Sequence, residues 1–415
     1  MKFFINSYFG DNQSIGLLSH IKKRLPYGMD DQWMGFSHYT ERGWTVDNLW
    51  HIFTDFYGGQ YAPLAFLSYL VLYAGFGYDP FYFHMFSLLL HIGCVCLVWK
   101  LISSLLRVHG GVSEKQILYV NFITTLLFAV HPINVEAVAW ISALKVLLYA
   151  FFYLLGLLCY LRYIRTSKIF YYVLTIGCFL CSFWGKEQAV TFPLALLIVD
   201  WFTNRNMKNL EVWSEKMSFL IMAFFFGIIT VLSQGKGPYE MIFPLYQRLL
   251  FGCFALVEYI TKSLLPVNLN FFYPFPIVLG EEPPLHYYLY PVVLLFLMGW
   301  IIAYRNNRYL VFGVLLFLVN LLFSIHLFNM SRHAIVADRY MYLSYVGIAF
   351  LIANGIWWLR KRLSYFKAAL VFLFFYCFFL SVYTFHYTKK WENTTMVKKY
   401  TKEVLEKRLN GSNHL

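Results

Sequence analysis

The stretch that decides the fold is "FHMFSLLLHIGCVCLVWKLISSLL", residues 83–106. A membrane-crossing helix needs about 20 mostly apolar residues, and this run supplies them. Ten more apolar runs follow, near 117–131, 146–163, 169–184, 188–202, 217–233, 245–266, 287–304, 309–328, 340–359 and 366–387. Tyr and Trp gather at their ends, as interfacial anchors do. Lipid offers the backbone no hydrogen-bond partner, so every crossing segment must be helical. The expected fold is therefore all-α, a polytopic helical membrane protein with about 10–11 spans.

Composition agrees. Of 415 residues, 60% are hydrophobic, 21% aromatic and 13% charged, where soluble domains carry nearer a quarter charged. The net charge of +13 does not indicate nucleic acid. Lys and Arg fall mainly in short loops between apolar runs, which is a topology signal. Seven cysteines lie in or beside apolar runs, and "CFLC" (178–181) has no second pair and no nearby His. They read as small packing residues, with no metal implied.

Three regions follow. Residues 1–82 form a large first external loop, in which "YAPLAFLSYLVLYAGFGYDP" reads as an interfacial or re-entrant helix. Residues 83–387 form the multi-span domain, and 388–415 a short basic helical tail. In the first half, Arg107 and Lys115, then Arg162, Arg165 and Lys168, then Arg205, Lys208 and Lys216 mark alternate loops as cytoplasmic. The second half stays open. If 245–266 crosses, "RNNR" (305–308) and "RKRLSYFK" (360–367) lie outside and the tail inside; if it does not, the sides reverse.

Four polar clusters interrupt the apolar pattern. Asp30 and Asp31 are adjacent carboxylates just before the membrane domain. Mutual repulsion lets one titrate above the other, which suits a general base, although a loop Asp pair also matches plain solvated surface. In "HPINVEA", Pro132 breaks the helix, leaving His131 and Glu136 near the membrane surface; Glu136 also fits a capping role at a helix start. Lys186-Glu187 splits one apolar stretch, and ionisable groups at such a place are costly; a mutual ion pair at a hairpin tip is the plain alternative. Finally, "MSRHAIVADRYMYLSYVG" brings Arg332, His333 and Arg339 together around Asp338. Arg binds phosphate bidentately, and a cytoplasmic basic loop is the alternative. Arg248 and Lys262 are further candidates for an anionic head group.

The ordered set "MDDQWMG", "GGQYAPLAFLSY", "FGYDPFYFHMFSLLLHIGC", "HPINVEAVAWIS", "GKEQAVTFPLALLIVDW" and "ADRYMYLSYVG" resembles the membrane half of the transmembrane and tetratricopeptide-repeat O-mannosyltransferases and their bacterial relatives. These are GT-C polyprenyl-phosphate-sugar glycosyltransferases. The resemblance runs from about residue 25 to 395. It implies a GT-C-like fold and transfer of a sugar, mannose by the family's example, from a polyprenyl phosphate at the outer leaflet to an acceptor hydroxyl of a protein Ser/Thr or a glycan. Asp30 would be the base and Asp31 its neighbour, or the reverse. Glu136 with His131 would line the cavity. Lys186 with Glu187, and Arg332 and Arg339 with His333, would receive the donor, the cations holding its phosphate. The implied chemistry is inverting, with neither metal nor cofactor beyond the lipid-linked sugar substrate.

The resemblance also implies a helix ahead of the Asp pair, which residues 1–25 do not supply, and an Arg after "HPINVEAVAWIS", where Lys145 stands between Leu144 and Val146. It implies a repeat domain as well, of which "KKWENTTMVKKYTKEVLEK" resembles only the leading edge. It puts this tail outside, favouring a 245–266 that does not cross. The short tail points to a bacterial inner membrane with the site facing the periplasm. The rival readings are a transporter or flippase for a lipid-linked sugar, and a non-catalytic relative. Against the first, no internal repeat of the transporter kind is visible.

Overall fold

The computed structural model describes residues 37–234, 243–277, 279–326 and 334–412. It is an all-α polytopic membrane protein. Among the described residues three helices, α1 (His38–Glu41), α2 (Val46–Thr54) and α3 (Pro63–Phe76), precede the bundle. The membrane domain continues with α4 (Pro80–His109), α5 (Glu114–Val130), α6 (Val135–Ala139), α7 (Leu144–Thr166), α8 (Ile169–Gly185), α9 (Phe192–Phe202) and α10 (Leu210–Gln234). It closes with α11 (Leu245–Leu264), α12 (Leu289–Ala303), α13 (Arg308–Leu321), α14 (Met341–Trp358), α15 (Leu363–Thr388) and the tail helix α16 (Thr394–Ser412).

Local chemistry sets several starts. Asp79 caps α4 through the Phe81 N–H, with Pro80 in the first turn. Ser113 caps α5 through the Gln116 N–H, and Asn307 caps α13. Each side chain satisfies a donor the helix cannot.

Among the described residues six helices can cross a membrane by length and composition, and α5 with the following Pro132–Ala139 segment, bent by 50°, makes a seventh. Three shorter rods run between the same two ends: α8, α13, and α9 with its preceding 3-10 turn Glu187–Thr191. The 14 residues of α13 reach about 21 Å, short of the roughly 30 Å hydrocarbon core. The middle of the bundle is α7, whose best apolar window is 78% buried, whereas that of α12 is 6% buried. Helix α7 is therefore apolar all round because protein surrounds it, and α12 because lipid does.

Small residues let the rods touch. A Cβ on Gly185 would lie 2.8 Å from the Tyr149 nitrogen, so α8 meets α7 backbone to backbone. A Cβ on Gly347 would lie 2.5 Å from the Gly313 oxygen, which fixes the α13–α14 crossing in the manner of small-residue contacts in membranes.

The two ends of the bundle differ in charge. At one end the first-half basic turns meet. The His109 ring donates from Nδ1 to the Phe202 carbonyl at 2.7 Å, and Arg308 donates to the Trp201 carbonyl at 3.0 Å. The "RNNR" turn therefore lies beside the Arg205 turn. Here Asp200 and Lys216, both fully buried, form an ion pair. Tyr160 donates to Asp200 at 2.8 Å, and Arg205 reaches Asp200 at 3.2 Å and Glu215 at 2.6 Å.

The structure places 245–266 without a crossing. The start of α11 holds the 281–282 turn, where Gln247 donates to the Glu281 carbonyl at 2.9 Å. Its middle packs Phe254 on Tyr287 and Tyr290 at the start of α12. Its last turn carries Lys262 to Tyr273. Both ends of α11 thus lie at the end of the bundle away from Arg308. The sequence left this crossing open, and the non-crossing alternative fits three ionisable groups, Arg248, Glu258 and Lys262, in one amphipathic helix. With α11 lying across that end, "RNNR" and "RKRLSYFK" share the side of the Arg205 turn, and α15 delivers the tail to the opposite side. Tail lysines at that end lie over rings, Lys389 over Phe385 and Lys390 over Tyr400.

Epitopes inserted at 305–308 and at 360–362 are expected to be reached from the same side as one at 205–208, and a C-terminal tag from the other side. A C-terminal tag reached from the side of the 305–308 epitope would refute the non-crossing α11.

Candidate functional site

The site is built where the helices break. Helix α5 stops at His131, and Pro132 cannot continue it. The His131 ring accepts the Ile133 N–H at 3.2 Å, and Asn134 ties the turn by donating to the Phe128 carbonyl at 2.7 Å. The ring lies 4.2 Å from that of Tyr345, and His131 is buried. Capping in "HPINVEA" is thus the work of His131. A second break, with Trp140 extended, separates α6 from α7.

This frees Glu136 for another task. It is fully buried and gives both oxygens to one residue. Oε2 accepts the Arg339 backbone N–H at 2.7 Å, and Oε1 pairs with the Arg339 guanidinium at 2.5 Å. The guanidinium lies 5.2 Å from the ring centroids of both Trp140 and Tyr340, and its side chain is 20% exposed.

Lys186 reaches the same place. It ends α8, where its N–H bonds the Ser182 carbonyl. Buried at 3% exposure, its ammonium stands 4.7 Å over the Tyr340 ring. So Tyr340 lies against both cations. Glu187, half-buried, makes no ion pair with Lys186, and Gln188 anchors the turn by donating to Ser324 at 2.9 Å. The hairpin-tip ion pair is therefore replaced by a cation over an aromatic ring.

Beside them Asp338 is buried and accepts the Tyr273 hydroxyl at 2.9 and 3.1 Å. Lys262 stands 4.8 Å over the Tyr273 ring and 3.4 Å from Glu258. Lys145, where the resemblance expects Arg, donates instead to Gln60 of the N-terminal segment. That segment covers the same end: Tyr69 donates to the Ile141 carbonyl at 2.8 Å. Nearby, burial and a hydrogen bond to Asp55 push the Tyr39 phenol up to about 12.

The structure thus gathers Glu136, Lys186 and Arg339, with His131 and Glu187 on the same turns. Asp30, Asp31, Arg332 and His333 lie outside the described residues. Sequence reading missed Tyr273, Tyr340 and Trp140 as partners. Their signal was faint: "ADRY" and "EAVAW" put an aromatic beside each charge, but nothing marked Tyr273.

Fold and site together define a polytopic helical membrane protein with a buried charge cluster at the end opposite its basic turns. In sequence the chain is similar to protein O-mannosyl-transferase TMTC2 of Mus musculus, at 32% identity over 189 residues, 41% of this chain and 21% of that protein. It is also similar to Tmtc3 of Drosophila melanogaster, 28% over 172 residues, 37% and 18% of the two chains. A third relative is TMTC4 of Homo sapiens, 31% over 167 residues, 35% and 22%. The chain resembles the membrane half of this family and spans about a fifth of the length of the curated relatives it matches. No protein-family model and no solved structure matches it.

Removing one partner of a buried ion pair strands the other charge. Glu136→Ala is expected to lower stability by about 3–5 kcal/mol, read as a fall in the unfolding midpoint in detergent. Unchanged stability would show that the pair does not hold α6 to Arg339.

Proposed function

We propose that this chain is a membrane glycosyltransferase that moves a sugar, mannose by the example of its relatives, from a polyprenyl-phosphate donor to an acceptor hydroxyl. The observation that carries this reading is the convergence of Arg339 and Lys186, from separate segments, on Tyr340 beside buried Glu136. Two cations fixed at the rim of a helical bundle suit a phosphate tethered to a lipid. The names of the similar proteins supply the reaction class.

In this reading Asp30 or Asp31 takes the proton of the acceptor hydroxyl as its oxygen attacks the anomeric carbon. The bond to the lipid phosphate breaks, and the phosphate leaves with the electron pair. Attack opposite the leaving group inverts the centre. Arg339 and Lys186 counter the charge that develops on the phosphate, and donors fixed in advance do this without reorganising. Glu136 acts through Arg339, since both of its oxygens are already engaged there. Arg332 and His333 complete the phosphate contacts. The acceptor is a Ser/Thr-bearing protein or a glycan arriving from water.

The end carrying this cluster is the outer face, because the basic turns hold the opposite end inside. In a bacterial cell that face is the periplasmic side of the inner membrane.

The test is transfer from radiolabelled polyprenyl-phosphate sugars in membranes. Asp30→Asn or Asp31→Asn is expected to lower turnover at least about 100-fold, the scale of a general base. Arg339→Lys is expected to raise the donor KM about tenfold through loss of the planar fork. Full transfer by both Asp variants would remove the assigned base. Donor movement across the bilayer without transfer would replace the enzyme with a transporter.

A further inference from the structure

The tail helix is wired to the site. Thr401 of α16, fully buried, donates its hydroxyl to Asn270 Oδ1 at 2.8 Å. That oxygen also accepts the Phe271 N–H at 2.9 Å. The Asn270 N–H donates to the Tyr273 hydroxyl at 2.7 Å, and this hydroxyl donates to Asp338. Asp338 precedes Arg339 in the chain, and the Arg339 N–H is the one Glu136 accepts. The Tyr273 carbonyl also accepts the Ile335 N–H at 2.9 Å. Thr401, Asn270, Tyr273, Asp338 and Glu136 are each 1% exposed or less. A buried chain of this kind is either satisfied throughout or costly.

We infer that Tyr273 and Asp338 are positioning residues for Arg339, and that α16 belongs to their support through Thr401 and Asn270. The loop 265–277 is the middle piece. It is held from outside by the tail and itself holds the backbone that presents Arg339. Disturbing the tail therefore reaches the phosphate-binding cation without touching it. This rests on the phosphate role given to Arg339 above; the mechanical link does not.

Coupling between two places is reciprocal, which gives a readout independent of sugar transfer. In membranes, tryptic cleavage at Lys399 and Lys402 reports undocking of α16, since a docked helix resists proteolysis. Thr401→Val is expected to speed this cleavage, Thr401→Ser to restore the native rate, and Tyr273→Phe to speed it although it lies 128 positions away in sequence (401 − 273). In the transfer assay Thr401→Val is expected to raise the donor KM about tenfold, the scale of one lost hydrogen bond in a charged network, with a smaller change in kcat and with rescue by Thr401→Ser.

Faster cleavage in Tyr273→Phe together with the KM effect supports the link. Native cleavage in Tyr273→Phe, with fast cleavage in Thr401→Val, overturns it, as does an unchanged donor KM when the tail has loosened. A native chain that transfers no sugar would sink the proposed function while the three cleavage rates still decided the link.

Discussion

One carboxylate organises the end of the bundle opposite the basic turns. Glu136 has no exposure, and a charge in so dry a place must be met by another charge or by strong donors. Arg339 supplies both, from 203 positions away. Because the backbone N–H and the side chain of the same residue are used, the bond fixes direction as well as proximity. The five residues of α6, the extended Trp140 and the segment leading into α14 can meet in one arrangement only. The bend at Pro132 is the means: without it, α5 would run on and carry Glu136 past the end of α14.

The two ends of the bundle treat charge differently. Near the basic turns, Asp200, Lys216, Arg205 and Glu215 close on each other around Tyr160. That network clamps α7, α9 and α10 together and presents its charges to one another. At the other end, Arg339 and Lys186 lie over aromatic rings. Arg339 is at the same time paired with Glu136, so this end joins one ion pair to ring contacts, in which a ring attracts a cation through its face. Leu144 and Thr166, the ends of α7, lie about 33 Å apart along its axis, so the clamp and the cluster sit at opposite borders of the hydrocarbon layer.

Much of this was legible in the sequence. The long apolar runs, the break at Pro132 and the oddity of Lys186 within an apolar stretch all follow from what lipid permits. Lys186 was singled out because charge in an apolar stretch is costly, Glu136 by the helix break at Pro132, and Arg339 because Arg binds phosphate. What stayed hidden was pairing. Nothing local tells that Glu136 holds Arg339 rather than capping its own helix, or that Lys145 turns to Gln60. The Tyr273–Asp338 bond joins residues 65 positions apart through a loop held by an isolated bridge between Tyr273 and Val336. Run length left 245–266 open, and the apolar run there is one face of an amphipathic helix.

The path of 245–266 and the site have a common cause. A crossing α11 would put its first turn at one end of the bundle and Lys262 at the other. Yet its first turn is bonded to the turn before α12, and Lys262 stands on Tyr273, whose hydroxyl satisfies Asp338. Were α11 to cross while α12 kept its place, either Gln247 would lose Glu281 or Tyr273 would be drawn from Asp338. The second loss would leave a buried carboxyl without its donor, at a cost of several kcal/mol. Helix α11 therefore lies across the end of the bundle because the charges there require both of its ends. The same requirement sends α12 inward and leaves the tail on the side of the site. Topology in the second half follows from the polar contacts at that end more than from the length of the apolar runs.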